Sequence, residues 1–358
     1  MQPRTSSEEL FVDVRGSSFI LIAVGETFTS DIDIHSVVDP SGATLVTEDR
    51  GDDDPIGRNR LNIAGGSAVA GLFPHTPAYS VQPGRYSFRI KNNDEVERDI
   101  RVKAIVKNGV NPSSGTLNVN LVFCGVPGLL ASNALRGETP ASQDILAGFN
   151  EFKRILRDAA HIEIATPTLL DCSPESAKIT TVFSGKDSNG NGQSDELDLL
   201  FGVHRQDKSI GLSSDLPDNA LTVYLIPTIE PRLFEPSGGT LLGVSGGIPG
   251  PAFTPGTRHS GVAVSTSVAP AILGRTMAHE AAHFLGLFHT TESDGQRHDP
   301  LLDTPECPKG NDVNINGLEA SECVNFDGQN LMFWDGGSSG IQLTDGQRLV
   351  LHRNPLIH

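Results

Sequence analysis

A stretch of eleven residues that begins at His279, HEAAHFLGLFH, holds three histidines, one glutamate and one glycine. It overlaps a longer run, 269–286, that consists mostly of good helix formers and stops at Gly286, so the sequence predicts a helix there. His279 and His283 then lie one turn apart on the same face, within reach of one metal ion. A glycine exit at Gly286 turns the chain back, so that His289 can supply a third ligand.

Three protein ligands leave the fourth position of a tetrahedral zinc ion to water, which distinguishes a catalytic zinc site from a structural one. Glu280 points beside the metal, where it can accept a proton from that water. The alternative is a buried helix with chance histidines. For a chain of this composition, the full pattern arises by chance in on the order of one sequence in ten thousand. The stretch therefore predicts an open zinc site with Glu280 as general base.

The pattern HExxHxxGxxH is the signature of the metzincin metallopeptidases, which this chain resembles. Those enzymes carry a methionine turn beneath the zinc, and Met332 in NLMFW matches it, with a core methionine as the alternative. The segments HDPLLDTPEC (298–307) and LTDGQRLVLHRNP (343–355) are similar to the DTP loop and closing helix of pappalysin-like metzincins. The resemblance covers about residues 117–358. It implies an α/β zincin-like catalytic domain with a mixed sheet, a zinc-binding helix and a Met-turn.

Two features of the closing segments are also informative by themselves. Thr344, followed three residues later by Gln347, forms a capping box that predicts a helix start. Pappalysins usually carry a tyrosine two residues after the turn methionine, whereas this chain has Trp334. An indole offers no phenolic oxygen to a metal or a tetrahedral intermediate. Any catalytic role that the family's tyrosine has must therefore be filled in this chain by another hydrogen-bond donor.

A second cation site is predicted in the stretch DSNGNGQSDELD, residues 187–198, which resembles an EF-hand calcium loop with Asp in place of the final Glu. The alternative is an acidic, turn-rich loop. A further calcium ion is predicted in the DTP loop, at Asp303 and Thr304. The candidate ligands of the EF-hand-like loop are Asp187, Asn189, Asn191, Gln193, Asp195 and Asp198.

The first hundred residues have a different character. From residue 9 to 107, short β-type runs alternate with turn residues, which favours an all-β sandwich. The predicted strands are LFVDV (10–14), SFILIAV (18–24), RLNIAG (60–65), GRYSFRI (84–90) and RDIRVKAIV (98–106). We therefore expect two domains: 1–112, a β-sandwich accessory domain with its linker, and 113–358, the metzincin-type peptidase domain. The sandwich loosely resembles modules that accompany secreted bacterial peptidases. Substrate, wall material and the catalytic domain itself are all open as its binding partner.

Composition excludes some functions and bears on location. The net charge of −17, without a run of Lys or Arg, argues against a nucleic-acid partner. The longest apolar stretches, such as FILIAV at 19–24, are too short to span a bilayer. The first residues lack the features of a signal peptide, so the protein either stays in the cell or begins after a removed signal.

Four cysteines bear on that choice, and none belongs to a CxxC pair. Cys307 and Cys323 flank a polar loop, and a bridge between them would contribute about 3 kcal/mol. That bridge is favoured over free thiols, and Cys124 is interpreted as a partner of Cys172. Disulfides favour secretion.

The sequence thus predicts a secreted zinc endopeptidase that acts on a protein or peptide, bound along an edge strand within 239–265. The rival interpretation is a catalytically inactive zinc- and calcium-binding surface or adhesion module, against which the intact Glu280 argues. A metal-dependent hydrolase of non-peptide amides is a third possibility. Neither nucleic acid nor membrane is expected as a partner, and the oligomeric state stays open.

Overall fold

The computed structural model describes residues 1–2, 4–27, 30–47, 67–172, 176–183, 195–201, 217–230, 241–336 and 338–358. These residues form several β-sheets and a few helices, as expected for a β-rich protein of more than one domain. None of the helices in these ranges combines the length and the apolar character needed to cross a bilayer.

The first seven strands form two antiparallel sheets packed face to face. One sheet has the order β1-β6-β3-β4 and the other β5-β2-β7. Phe19 and Leu21 from one sheet and Ile34 and Tyr86 from the other are buried between them. This is the predicted sandwich, although its third to fifth strands were not predicted, and the predicted strand at 60–65 lies outside the described residues. The strands are β1 (Leu10–Val14), β2 (Ser18–Gly25), β3 (Ile32–Val38), β4 (Thr44–Thr47), β5 (Ala68–Phe73), β6 (Gly84–Asn92) and β7 (Ile100–Lys107).

The rest of the chain is built around a five-stranded mixed sheet of order β11-β9-β13-β16-β15, in which only β15 is antiparallel to its neighbour. Strand pairs β8/β10 and β12/β14 are separate. The strands are β8 (Gly115–Leu117), β9 (Val119–Phe123), β10 (Ile162–Ile164), β11 (Thr168–Asp171), β12 (Thr181–Phe183), β13 (Leu221–Ile226), β14 (Thr228–Glu230), β15 (Gly243–Ser245) and β16 (Val262–Ser265), and the helices are α1 (Pro140–Ala160), α2 (Asp195–Phe201), α3 (Pro270–Leu285) and α4 (Asp345–Arg353).

Local sequence signals explain where the helices begin. Helix α4 starts at the predicted capping box, in which Thr344 Oγ1 accepts the backbone N–H of Gln347. Helix α1 starts at a similar box formed by Thr139 and Ser142. Phe152 of α1 and Met277 of α3 share one buried core with the five-stranded sheet, so α1 and the sheet hold α3 in place.

The sandwich packs directly on this second core. Phe19 and Leu21 of β2 face the sandwich interior, whereas Ile20 and Ile22 belong to the core of the helix-containing half. Polar contacts join the two halves as well. Ser18 Oγ donates to Arg353 O at 2.7 Å, and Lys107 Nζ donates to three carbonyls within residues 352–357. The sequence left open whether the sandwich binds substrate, wall material or the catalytic domain. In the structure, the sandwich is in contact with the helix-containing half of the same chain. The boundary near residue 112 stays a prediction.

Two disulfides join all four cysteines. Cys124 at the end of β9 pairs with Cys172 after β11, and Cys307 pairs with Cys323. The first ties two neighbouring strands, and the second closes the polar loop. These are the pairings favoured from the sequence.

Candidate metal centre

Helix α3 is buried along nearly its whole length and carries His279, Glu280 and His283. It ends at Gly286, whose φ of 122° is a conformation that suits glycine. The carbonyls at this end are satisfied from distant parts of the chain: Asn354 Nδ2 donates to Leu285 O at 3.2 Å, and the ring of His75 binds Gly286 O. The predicted glycine exit is present, and it turns the chain toward His289.

The three predicted histidine ligands converge on one point. The Nε2 atoms of His279 and His283 are 3.0 Å apart, and that of His289 lies 3.2 and 3.1 Å from them. Each Nδ1 faces an acceptor: His279 donates to Leu331 O at 2.7 Å, His283 to Leu287 O at 2.6 Å, and His289 to Glu292 Oε2 at 3.1 Å. Each Nδ1 thus carries the hydrogen, and three Nε2 lone pairs point at one another.

Such an arrangement fits a cation. Lone pairs facing at about 3 Å repel one another unless a positive charge lies between them, and all three atoms can lie about 2.0–2.1 Å from a common point, the Zn–N distance. Burial and the neighbouring histidines hold the pKa of His279 well below its usual value, and burial lowers that of His283 to about 3. Both rings are therefore neutral near pH 7, the form that binds metals.

Glu280 lies beside this triad under β15. Burial raises the pKa of its carboxyl to about 8, opposed by the charge of Arg275 and a hydrogen bond from the Ser245 N–H. A Cβ on Gly243 would lie 2.8 Å from Glu280 Oε1, so only glycine lets the edge strand approach this closely. A carboxyl whose pKa lies this close to neutral pH can exchange a proton there in either direction.

The segment around Met332 is attached to the triad on two sides. Leu331 O accepts from His279 and also from Arg275 Nη2 at 3.4 Å, and Met332 O accepts the N–H of Thr290 at 3.0 Å. Met332 itself is fully buried. Trp334 points elsewhere: its Nε1–H donates to Leu318 O, in the disulfide loop, at 2.6 Å.

Sequence reasoning missed Glu292, the carboxylate partner of His289. Burial alone would raise the pKa of Glu292, but the hydrogen bond from His289 and nearby positive charge outweigh it, so the pKa is lowered. The only sequence signal was its position three residues after the third histidine.

The DTP loop holds a second group of carboxylates. Thr304 Oγ1 donates to Asp299 Oδ1 at 2.6 Å, whereas Asp303, one of the two predicted ligands, accepts the N–H of Gly346 at the start of α4. Asp299 Oδ2 and both carboxylate oxygens of Asp327 are buried without a hydrogen-bond donor among the described residues. Burial raises the pKa of Asp299 to about 8, and the charges of Asp303 and Asp327 add to this effect. Asp299 and Asp327 were not predicted.

Four of the candidate ligands in the EF-hand-like loop, Asp187, Asn189, Asn191 and Gln193, lie outside the described residues. Asp195 begins α2. Asp198, the predicted final ligand, forms a buried ion pair with Arg258, 3.0 Å from its Nη1. The calcium site at 187–198 stays a prediction.

No model of a known protein family matches the chain, and a search of curated proteins finds no match. Among solved structures, a chaperone–substrate complex matches at 16% identity and a TM-score of 0.30, covering 61% of this chain and 38% of that one. Metalloproteinase-II from Bacteroides fragilis matches at 16% identity and a TM-score of 0.28, covering 53% and 50%. The chain thus spans half or less of the length of each of these two neighbours.

Proposed function

We propose that this protein is a zinc-dependent endopeptidase of the metzincin type, similar to the pappalysins, with a zincin-like catalytic domain over 113–358. The convergence of three Nε2 lone pairs next to the buried carboxyl of Glu280 carries the proposal. The residues that would hold zinc are His279, His283 and His289. When bound, zinc supplies a Lewis acid that lowers the pKa of water and polarises a carbonyl.

The chain's own residues account for the proton transfers. Glu280 takes the proton of the attacking water and delivers it to the leaving amine. Its raised pKa places proton uptake and release close to neutral pH. Arg275 holds Leu331 O, which in turn orients His279.

The position of strand β15 supports the proposal that the substrate is an extended peptide. It forms the edge of the five-stranded sheet, lies within the predicted range 239–265, and contacts Glu280 through Gly243 and Ser245. A peptide pairing with this edge through its main chain would pass beside the general base. Protein chains are thus the proposed substrates, with no role for nucleic acid or membrane.

The test compares the full chain with a Glu280→Gln variant, both loaded with zinc and calcium, on casein and on the unfolded chain itself. We expect cleavage by the first and at least about a hundredfold slower cleavage by the variant, since general-base catalysis contributes on that order. Glu138→Gln, which neutralises an exposed carboxylate, is the control and should retain full activity. Equal, negligible cleavage by all three with zinc bound would instead support the inactive binding module, and amide substrates other than peptides would then be tried.

We further propose that Asp299, Thr304 and Asp327 bind a structural calcium ion. Asp299 and Asp327 have buried carboxylate oxygens without hydrogen-bond donors among the described residues, and the charge of Asp327 helps to raise the pKa of Asp299. Such oxygens are the ligands that a hard cation prefers. Calcium should raise the melting temperature of the protein. Asp327→Asn should abolish this rise and stabilise the calcium-free form, because it relieves repulsion. Asp345→Asn, which changes an exposed carboxylate, is the control and should keep the full calcium response. The same full response in Asp327→Asn would contradict the site.

Secretion is part of the same proposal. Two disulfides support it, because such bonds persist in oxidising compartments.

A further inference from the structure

The third metal ligand differs from the other two in how its ring is held. His279 and His283 lie on α3 and donate their Nδ1 hydrogens to backbone carbonyls. His289 follows the helix exit and has no helix to fix it. Its Nδ1 hydrogen goes to the side chain of Glu292, at 3.1 Å. One carboxylate therefore sets the orientation of this ring.

The backbone of Glu292 is itself held in a tight turn. Its N–H donates to Arg297 O at 3.0 Å, and its carbonyl accepts the N–H of Gly295 at 2.9 Å. The next residue, Ser293, accepts the N–H of Leu318 at 3.0 Å. This hydrogen bond joins the turn to the loop between Cys307 and Cys323.

The same loop is also hydrogen-bonded to the segment that carries Met332. Leu318 is fully buried, and its carbonyl accepts the Nε1–H of Trp334, two residues after Met332. Leu318 therefore links the turn that carries Glu292 to the methionine turn. The Cys307–Cys323 disulfide closes the loop on which Leu318 lies.

A carboxylate that receives the outer N–H of a ligating histidine fixes the ring's tautomer and orientation and makes the ligand more basic. A charged acceptor does this more strongly than a carbonyl, because charge-assisted hydrogen bonds are stronger. A simple surface role for Glu292 is the alternative. However, its side chain is only 32% exposed, and Arg297 forms its described ion pair with Asp294 instead.

We propose that Glu292 is a positioning residue for the third metal ligand, and that the disulfide loop holds Glu292 in place through Leu318. This inference rests on the proposed zinc site, although not on peptidase activity. Glu292 does not touch the substrate. It acts by keeping the Nε2 lone pair of His289 directed at the point shared with the other two histidines.

The experiment measures zinc affinity by competition with a chromogenic chelator, on the full chain and on Glu292→Ala, Glu292→Gln and Asp294→Asn. Removal of an outer-shell partner weakens metal binding by about 10- to 100-fold. We expect that loss in Glu292→Ala. A smaller loss is expected in Glu292→Gln, whose amide oxygen still accepts the bond. Asp294→Asn loses a charge from the same turn and should bind zinc like the unaltered protein.

A second readout separates positioning from general destabilisation. The cobalt-substituted proteins should show an altered visible absorption spectrum in Glu292→Ala alone, while the urea midpoints of the metal-free proteins stay alike. Unchanged zinc affinity in Glu292→Ala, or equal losses in Asp294→Asn, would overturn the inference. If Glu292→Ala loses zinc affinity but the unaltered protein cleaves nothing, the inference holds and the peptidase proposal fails. Failure of the unaltered protein to bind zinc would overturn both.

Discussion

Gly286 is the residue at which the chain leaves helix α3, between the second and third histidines of the triad. Its φ of 122° lies in the region that L side chains rarely adopt, and a Cβ there would lie 3.2 Å from Leu72 Cδ2 of the sandwich. The residue after it, Leu287, accepts the Nδ1 hydrogen of His283. One glycine thus permits the chain reversal, the hydrogen bond that holds His283 and the contact with β5.

Gly286→Ala should lower the free energy of unfolding by about 1–2 kcal/mol, the cost of placing an L side chain at positive φ, and should also weaken zinc binding. Gly109→Ala is the matched control, since Gly109 has a φ of 80° with open space around it. It should lose stability without losing zinc affinity. Urea unfolding and chelator competition measure the two effects. Equal zinc affinities in both variants would show that the exit does not support the metal centre.

Trp334 permits a second prediction at this scale. Trp334→Phe keeps an aromatic ring but removes the donor to Leu318 O, so the free energy of unfolding should fall by about 1 kcal/mol. The Cys307–Cys323 bond should also be reduced faster by dithiothreitol, because the loop is held less firmly. Thiol titration over time measures this rate. An unchanged rate would mean that the indole does not hold the loop.

At the scale of elements, helix α4 connects three parts of the molecule. Its His352 is buried and donates from Nε2 to Ala160 O, at the end of α1, at 2.8 Å. The carbonyls of its last turn accept from Lys107 and Ser18 of the sandwich. Burial lowers the pKa of His352, assisted by the charges of Lys107 and His161 and opposed by the bond to Ala160.

The lowered pKa gives His352 a definite effect on acid stability. Above the unfolded pKa of about 6.5, the ring is neutral in both states. As the pH falls through that value, the unfolded chain takes up a proton first, and the folded state loses stability until its own, lower pKa is reached. His352→Gln retains a donor but does not titrate. Between about pH 7.5 and about pH 5, urea unfolding should show a smaller loss for this variant. Equal losses would exclude the effect.

The elements also show how far sequence reasoning reaches. Helices α3 and α4 were predicted because their signals are local: helical spacing with a glycine exit at Gly286, and the capping box at Thr344. Strand β3 (Ile32–Val38) was missed although its pattern alternates in part. The contacts of Glu292 depend on a turn whose shape the sequence does not reveal, and those of Asp327 and His75 join residues far apart in the chain. No local pattern encodes such contacts.

At the scale of the whole molecule, the sheet β5-β2-β7 is covered on both faces. Ile22 faces the helix-containing core and Leu21 the sandwich core, and both are fully buried. His75, which follows β5, packs edge-on against Phe288, the neighbour of His289, and binds Gly286 O. The two halves therefore share one layer of structure.

The protein should accordingly unfold in a single transition. Its one tryptophan, Trp334, reports on the helix-containing half. Leu21→Ala removes side-chain volume from the sandwich core and should cost about 2–5 kcal/mol. The urea midpoint followed by tryptophan fluorescence should fall with it, by the same amount as the midpoint followed by circular dichroism. A fluorescence midpoint that does not move would mean that the halves unfold independently.

The covered sheet also has a consequence for the evolution of the protein. Among the described residues, Ile20, Ile22, Ala70 and Leu72 are covered by apolar side chains of the helix-containing half, and they cover those side chains in turn. A recombination event that exchanged the first hundred residues for another module would leave both surfaces bare. The two halves should therefore evolve as one unit. Substitutions on one face of the sheet β5-β2-β7 should be accompanied by compensating substitutions in the side chains that pack against it.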